Sequence, residues 1–256
     1  MTNSKIILLA GKGITTNILY HSLKNDFPVT AILLEEPVRK KEFLKKRIKK
    51  LGLLKVTGQI LFQVIIVKLL PIFSAKRMQK IMNNYQMDNS ELPEGITIRL
   101  KSVNEETCIK ELQKINPDLV IVNGTRIISK KVLECINSRF INIHAGYTPM
   151  YRGVHGAYWA LVNNDKACCG VTVHLVDSGI DTGGVISQKL IPLTPEDNFV
   201  TYPLLQLGEG ILLIKKAIID LHENDTNLIG CVGKSKLWYH PGIFQYLYHR
   251  IFNKIK

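Results

Sequence analysis

The chain has 256 residues, 46% of them hydrophobic, with a mean hydropathy of +0.07. That is enough for one sizeable core, or one domain with an appendage, and it excludes a polytopic membrane protein. The formal net charge is +13 and is concentrated: residues 38–80 hold 13 Lys and Arg against one acid, Glu42, and residues 234–256 hold five basic residues and no acid. The remainder is mildly acidic, so the basic excess belongs to two appendages and bears on partners rather than on the fold.

The N-terminus runs straight into KIILLAGKG, without the apolar core and cleavage site of a secretory signal, which predicts a cytoplasmic protein. The five cysteines (Cys108, Cys135, Cys168, Cys169 and Cys231) are odd in number and lack the paired spacing of a zinc site. They read as reduced, mostly buried thiols.

In chain order, residues 6–9 form an apolar run, Gly11-Lys12-Gly13 a turn, and residues 14–23 have helical spacing. Strand, glycine turn and helix open a nucleotide-type α/β domain, and a helix N-terminus there favours an anion. A single Gly-x-Gly is equally a tight βα turn. Residues 29–34 read as a second strand, and 39–50 as a basic helix. Residues 51–73 carry only Lys55 and Lys68 as charges. Their uncharged centre, 56–67, is shorter than the roughly 20 residues that span a bilayer. It predicts a buried or half-buried helix, with an interfacial helix docking on anionic lipid as the alternative. Residues 74–84 are a further helix and 91–95 a linker, so about 38–90 reads as a helical insertion.

Residues 96–100 suit a short strand, and 104–114 a helix with Asn104 as its cap. The continuous apolar run 119–122 suits a parallel strand covered on both faces. Ser129 is placed to cap a helix through Cys135. Strands follow at 140–143, 171–176 and 185–191, and helices at 155–162 and 203–222. The alternation predicts an α/β fold: a Rossmann-like open, mostly parallel sheet with helices on both faces, plus the helical basic insertion and a short C-terminal extension. Residues 1–225 form the α/β domain and 226–256 the extension. Sites in such sheets lie beyond the carboxyl ends of strands.

Residues 140–186 concentrate the candidate chemistry. Asn142 and His144, two apart, share one strand face. A Gly-rich turn returns Asp181 toward them. A neutral imidazole moves protons, a nearby carboxylate orients it, and an Asn amide suits a carbonyl oxygen that becomes an oxyanion. Together they suit acyl transfer through a tetrahedral intermediate. Cys168 and Cys169 lie in a polar turn and no Gly-x-Ser-x-Gly elbow occurs, so the attacking group comes from a substrate. His144 and His155 lie across a loop rather than at helical spacing, and no metal is expected.

The stretch resembles the folate-dependent formyltransferase family, which includes glycinamide ribonucleotide transformylase, methionyl-tRNA formyltransferase and the sugar N-formyltransferases. The resemblance rests on Asn142-Ile143-His144, the loop from Pro149 to Gly153, the run from Gly170 to His174, and Asp181-Thr182-Gly183. It is specific over about residues 101–191 and loose over the first 35. It implies 10-formyltetrahydrofolate as donor and an amine as acceptor. Asn142 and His144 would polarise the formyl oxygen, and His144 with Asp181 would manage the proton of the attacking amine. The pterin would lie against Thr125, Arg126 and Ile127 and against Asp177, Gly179 and Ile180. His174 resembles a structural strand position. Where relatives often have Ser-Leu-Leu-Pro after the His, this chain has Gly146-Tyr147-Thr148-Pro149, a departure that puts the shared acceptor in doubt.

Candidate acceptor contacts are Gly11, Gly13, Tyr147, Arg152 and Trp238. Trp238 either stacks a base or packs the tail on the body. The favoured acceptor is small and phosphorylated, an amino sugar on a nucleotide as in surface-polysaccharide synthesis. The alternatives are glycinamide ribonucleotide, water as in a formyltetrahydrofolate hydrolase, and an RNA- or membrane-binding protein with a vestigial site. Nucleic acid is not expected as a partner, since aromatic-rich RNA motifs are absent. A peripheral membrane contact and a homodimer are left open.

Overall fold

Continuously apolar strands need cover on both faces, and strands joined through helices run parallel. The computed structural model describes residues 4–38, 40–230 and 233–256; Arg39 and Cys231 therefore lie outside the described residues. The first half runs β1 (Ile6–Gly11), α1 (Ile14–Leu23), β2 (Val29–Glu35), α2 (Lys40–Leu51), α3 (Leu53–Asn84), β3 (Thr97–Leu100), α4 (Glu106–Ile115) and β4 (Leu119–Asn123). The second half runs α5 (Lys130–Leu133), β5 (Arg139–His144), β6 (Arg152–Gly153), α6 (Gly156–Val162), β7 (Gly170–Leu175), β8 (Val185–Leu190), α7 (Tyr202–His222), β9 (Leu237–Trp238) and α8 (Ile243–Phe252).

Seven strands form one sheet in the order β3-β2-β1-β4-β5-β7-β8. The first five in that order are parallel, as the alternating sequence requires. β7 runs antiparallel to both β5 and β8. The turn from β7 to β8 is too short for a crossover, which makes that pair antiparallel. Side chains alternate across the sheet. Ile6, Leu8 and Ala10 pack with α1, α6, α7 and Phe62 of α3, while Ile7 and Leu9 pack with Cys108, Ile109 and Leu112 of α4 and Val132 of α5.

Residues 51–84 differ from the sequence reading. The two expected helices are one, α3, which runs 32 residues through Pro71. Its most apolar 18-residue window has a mean hydropathy of 1.9 and is only 17% buried, so by length and composition α3 is long enough to cross a membrane. The uncharged centre underestimates it because Lys55 and Lys68 lie within the helix, and long lysine stems extend along apolar surface instead of ending it. Two caps also differ. Asn104 lies outside α4 and ties the following loop, with Nδ2 donating to the Ile127 carbonyl and Oδ1 accepting from the Ser129 amide. Ser129 makes no side-chain cap bond to α5, which ends at Leu133.

The C-terminal segment folds back onto the body. β9 pairs in parallel with β6, matching Arg152 to Leu237 and Gly153 to Trp238. α8 then packs against α3, where Phe62 and Tyr246 have ring centroids 5.1 Å apart.

Candidate active site

The strand order reverses between β1 and β4, so the loops after them diverge and leave a crevice at their carboxyl ends. A cavity of about 1120 Å³ opens there. Its walls come from Gly11 and Lys12 after β1, Thr125, Arg126 and Ile127 after β4, and Asn142 and His144 at the end of β5. His174, Asp177, Gly179, Ile180 and Asp181 close the β7–β8 side, and Trp238, Tyr239 and His240 add the tail. Lys50 and Leu51, at the end of α2, complete the rim.

Asn142 and His174 are register partners across β5 and β7. His174 Nδ1 donates to the Leu175 carbonyl at 2.6 Å, so its Nε2 accepts from Asn142 Nδ2 at 3.2 Å. Burial first, and the neighbouring His144 next, hold His174 below the ordinary imidazole range, which keeps that neutral tautomer. Asn142 is thereby held in one amide orientation. The residue lines the cavity, and its amide nitrogen has a second N–H beyond the one given to His174.

His144 is buried at the strand end. Its Nε2 donates to the Tyr151 carbonyl at 2.8 Å, and its Nδ1 lies 3.3 Å from Asp181 Oδ1. The other carboxylate oxygen of Asp181 accepts from the Gly153 amide at 2.9 Å. The Nδ1–Oδ1 gap therefore lies between two groups whose other sides are already tied. Gly146 makes the arrangement possible: a Cβ there would overlap the Tyr151 carbonyl and press on the imidazole. The turn bearing Asp181 is built locally. Asp177 Oδ1 accepts from the Gly179 amide at 3.0 Å and from Thr182 Oγ1 at 2.7 Å, and Asp181 itself adopts a left-handed φ of 51°. That conformation is one Asp tolerates.

The opposite wall is held by Glu35, which is buried. It accepts from the amides of Val103 at 2.7 Å and Arg126 at 3.0 Å, and it pairs with the Arg126 guanidinium at 2.5 Å. The same guanidinium donates to the carbonyls of Glu36 and Lys101. Arg126 is thus a strap, and Ile127, 55% exposed, offers an apolar platform in the wall.

Asn142, His144 and Asp181 come together, as do Thr125, Arg126, Ile127, Asp177, Gly179, Ile180, Gly11 and Trp238 around the same cavity. Three expected acceptor contacts do not line it. Gly13 is the residue before α1 and is not part of the wall. Tyr147 turns its ring to Gly170 and joins the core, because the strand alternation that points His144 inward sends the following loop under β7. Arg152 is drawn to the Ile180 carbonyl at 2.8 Å, where it braces the Asp181 turn. Trp238 stacks on Trp159 with ring centroids 4.8 Å apart, and its Nε1 donates to the Met150 carbonyl, so most of its surface packs the tail on the body.

His174, which the resemblance reads as structural, orients Asn142, and its place inside an apolar run concealed that role. Its signal is parity: in GVTVHL it shares a face with Thr172, opposite Asn142 and His144 in the antiparallel register. A second histidine pair, His155 and His240, was also unforeseen. His155 Nε2 and Gln63 Nε2 both lie 2.8 Å from His240 Nδ1. Burial pushes His155 down to about 3 and His240 to about 4, so both are neutral links between α6, α3 and the tail.

Chemically, the site offers an oriented amide N–H and a carboxylate–imidazole pair beside it. Burial pushes the Cys168 thiol up to about 11 and the Cys169 thiol to about 12, so neither is a nucleophile. Among the described residues no group of three His, Cys, Asp or Glu side chains is placed to hold a metal ion.

The sequence pattern of the formyl transferase family matches residues 63–203, more than half of the chain and the whole of the Asn142–Asp181 region. Among curated relatives, methionyl-tRNA formyltransferase of Thermodesulfovibrio yellowstonii is 38% identical over 102 residues, which is 40% of this chain and 33% of the relative. The chain thus spans less than half the length of the curated relatives it matches. Phosphoribosylglycinamide formyltransferase of Streptococcus pneumoniae superposes with a TM-score of 0.53 at 22% identity, over 86% of this chain and 99% of that one. The N-formyltransferase of Helicobacter canadensis, solved with folinic acid and dTDP-3-aminofucose, superposes with a TM-score of 0.54 at 20% identity, over 91% of this chain and 70% of that one. These structural likenesses concern the fold.

Proposed function

We propose, for a chain that belongs to the formyl transferase family, that it moves a formyl group from 10-formyltetrahydrofolate to the amine of an amino sugar carried on a nucleotide. The observation that carries this reading is the spare N–H of Asn142 beside the His144–Asp181 pair, inside a strand-end cavity. The cavity, about 1120 Å³, is larger than the roughly 300–1,000 Å³ typical of a pocket for one small ligand, which suits a donor and an acceptor together. Thr125, Arg126 and Ile127 with Asp177, Gly179 and Ile180 would hold the donor between a strapped loop and a hydrogen-bonded turn. When bound, the donor supplies an activated formyl carbon.

The residues then divide the work. Asn142 holds the acyl oxygen and keeps its donor in place as negative charge builds there. Asp181 and His144 receive the proton of the attacking amine at the Oδ1–Nδ1 gap, and the carbonyl of Tyr151 with the amide of Gly153 keeps both groups aligned. Lys12 and Lys50 on the rim favour a phosphorylated acceptor. The amino-sugar nucleotide bound to the Helicobacter canadensis enzyme supports this acceptor class. We place the reaction in the cytoplasm, consistent with the free thiols of Cys108, Cys135, Cys168 and Cys169.

The test is release of tetrahydrofolate from 10-formyltetrahydrofolate with a panel of acceptors: amino-sugar nucleotides, glycinamide ribonucleotide, charged initiator tRNA, and none. Turnover that requires an amino-sugar nucleotide is expected. Turnover without acceptor would instead identify a hydrolase, and no turnover with any acceptor would end the formyl-transfer reading.

A further inference from the structure

The outer surfaces of α3 and α8 invert the usual placement of apolar residues. The inner face of α3 is firmly held. Phe62 packs edge-on against Phe199 at 4.8 Å, Gln59 donates to the His240 carbonyl at 2.6 Å, Ser74 Oγ accepts from Asn198, and Arg77 makes a two-point pair with Asp197 at 2.8 and 2.9 Å. On the other side Leu54, Leu61, Val64, Ile65, Leu69 and Ile72 recur at helical spacing and are 39–91% exposed. α8 lies alongside: Gly242 meets Gly58 and Tyr246 meets Phe62, so the two helices run side by side in one direction. Its outward residues Phe244, Leu247, Tyr248, Ile251 and Phe252 are 36–79% exposed. Monomeric soluble proteins rarely expose an apolar surface this extended.

Charge identifies the occupant. Neither helix contains an Asp or Glu, whereas both carry exposed cations: Lys55, Lys68, Lys76, Lys80 and Arg250. We infer that this face lies in the interfacial layer of an anionic lipid bilayer, with both helices along the membrane plane. A second copy docked face to face would set lysine against lysine with no carboxylate on either helix to answer it; anionic headgroups answer it directly. Crossing the bilayer is incompatible with the inner face, because it would strip Arg77 and Asp197 of each other in hydrocarbon. Lying flat keeps those bonds and sinks only the outer side chains, about 5–10 Å into the headgroup–acyl boundary. Lys68, within the face, reaches back to the headgroups along its stem. Lys50 and Leu51 wall the active-site cavity just before Leu53 begins the face, so docking holds the cavity rim at the lipid surface.

The test is co-sedimentation of the full chain with vesicles of phosphatidylcholine alone or mixed with phosphatidylglycerol. Binding is expected only with phosphatidylglycerol present, weakening as salt rises. The triple variant Leu61→Ser, Ile65→Ser, Ile72→Ser should lower the partition coefficient on the order of 100-fold. Lys55→Gln with Lys68→Gln, which keeps the apolar face, should lower it about 5-fold per charge. Both variants should keep the wild-type thermal unfolding profile. Failure of the wild-type chain to bind anionic vesicles overturns the inference. So does a monomer–dimer equilibrium in sedimentation that the triple serine variant abolishes without affecting vesicle binding, since the face would then belong to a second copy.

Discussion

The strand-end cavity and the α3–α8 face are opposite departures from ordinary packing. In the cavity, polar groups are buried and each is tied: His144 to Tyr151 and Asp181, His174 to Leu175 and Asn142, Glu35 to two amides and Arg126. On the face, large apolar groups are exposed. The first arrangement is positional, and a displacement of one atom disturbs it. The second is compositional, since any comparable apolar side chain serves. The contrast predicts that single substitutions are costly in the cavity and nearly silent for folding on the face.

The largest effect is expected at the proton-accepting pair. Asp181→Asn keeps an oxygen for the Gly153 amide but removes the charge facing His144, and kcat should fall about 10²–10⁴-fold with thermal unfolding unchanged. Asn142→Ala comes next, with a loss of about 10²–10³-fold for one oriented donor. A wild-type rate in either variant would show that the cluster is not the reacting centre. Gly146→Ala should destabilise by about 1–3 kcal/mol in chemical unfolding, because the new methyl must displace the Tyr151 carbonyl or the imidazole.

The histidines give a pH signature. His155, held at about 3, and His240, at about 4, titrate well below the roughly 6.5 of an unfolded imidazole. Between those values and 6.5 the unfolded chain binds more protons, so stability falls as pH falls and is unaffected above that window. Melting temperature should be level near neutrality and drop steadily from about pH 6.5 to pH 4. His155→Gln should flatten that slope, and an unchanged slope would assign the acid sensitivity to other groups. The smallest effect belongs to the face: Leu61→Ser alone should change unfolding free energy by less than about 0.5 kcal/mol and leave turnover of a soluble acceptor untouched. A larger loss would mean that Leu61 packs against something.

Much of the cavity was readable because its signals are local. Asn142 and His144 share a face at a spacing of two whatever the sheet around them, and the Asp177–Gly184 segment closes on its own side chains. Tyr147 and Arg152 misled because a loop residue's direction depends on what its neighbours leave open: Gly170 makes room for one ring and the Ile180 carbonyl captures the other side chain. Lys55 and Lys68 concealed α3 for a related reason, since a charge in sequence does not reveal whether its stem lies along the helix.

By itself, the order of residues determined the alternating strands and helices, the mostly parallel sheet and the surplus of positive charge, all of which follow from periodicity and composition. It also determined which polar residues stand at strand ends. Only the tertiary structure decided that His174 orients Asn142, that the tail returns to β6, and that α3 hides one apolar face while baring the other. Those outcomes depend on contacts between segments far apart in the chain, and their energies exist only once the sheet has set the distances.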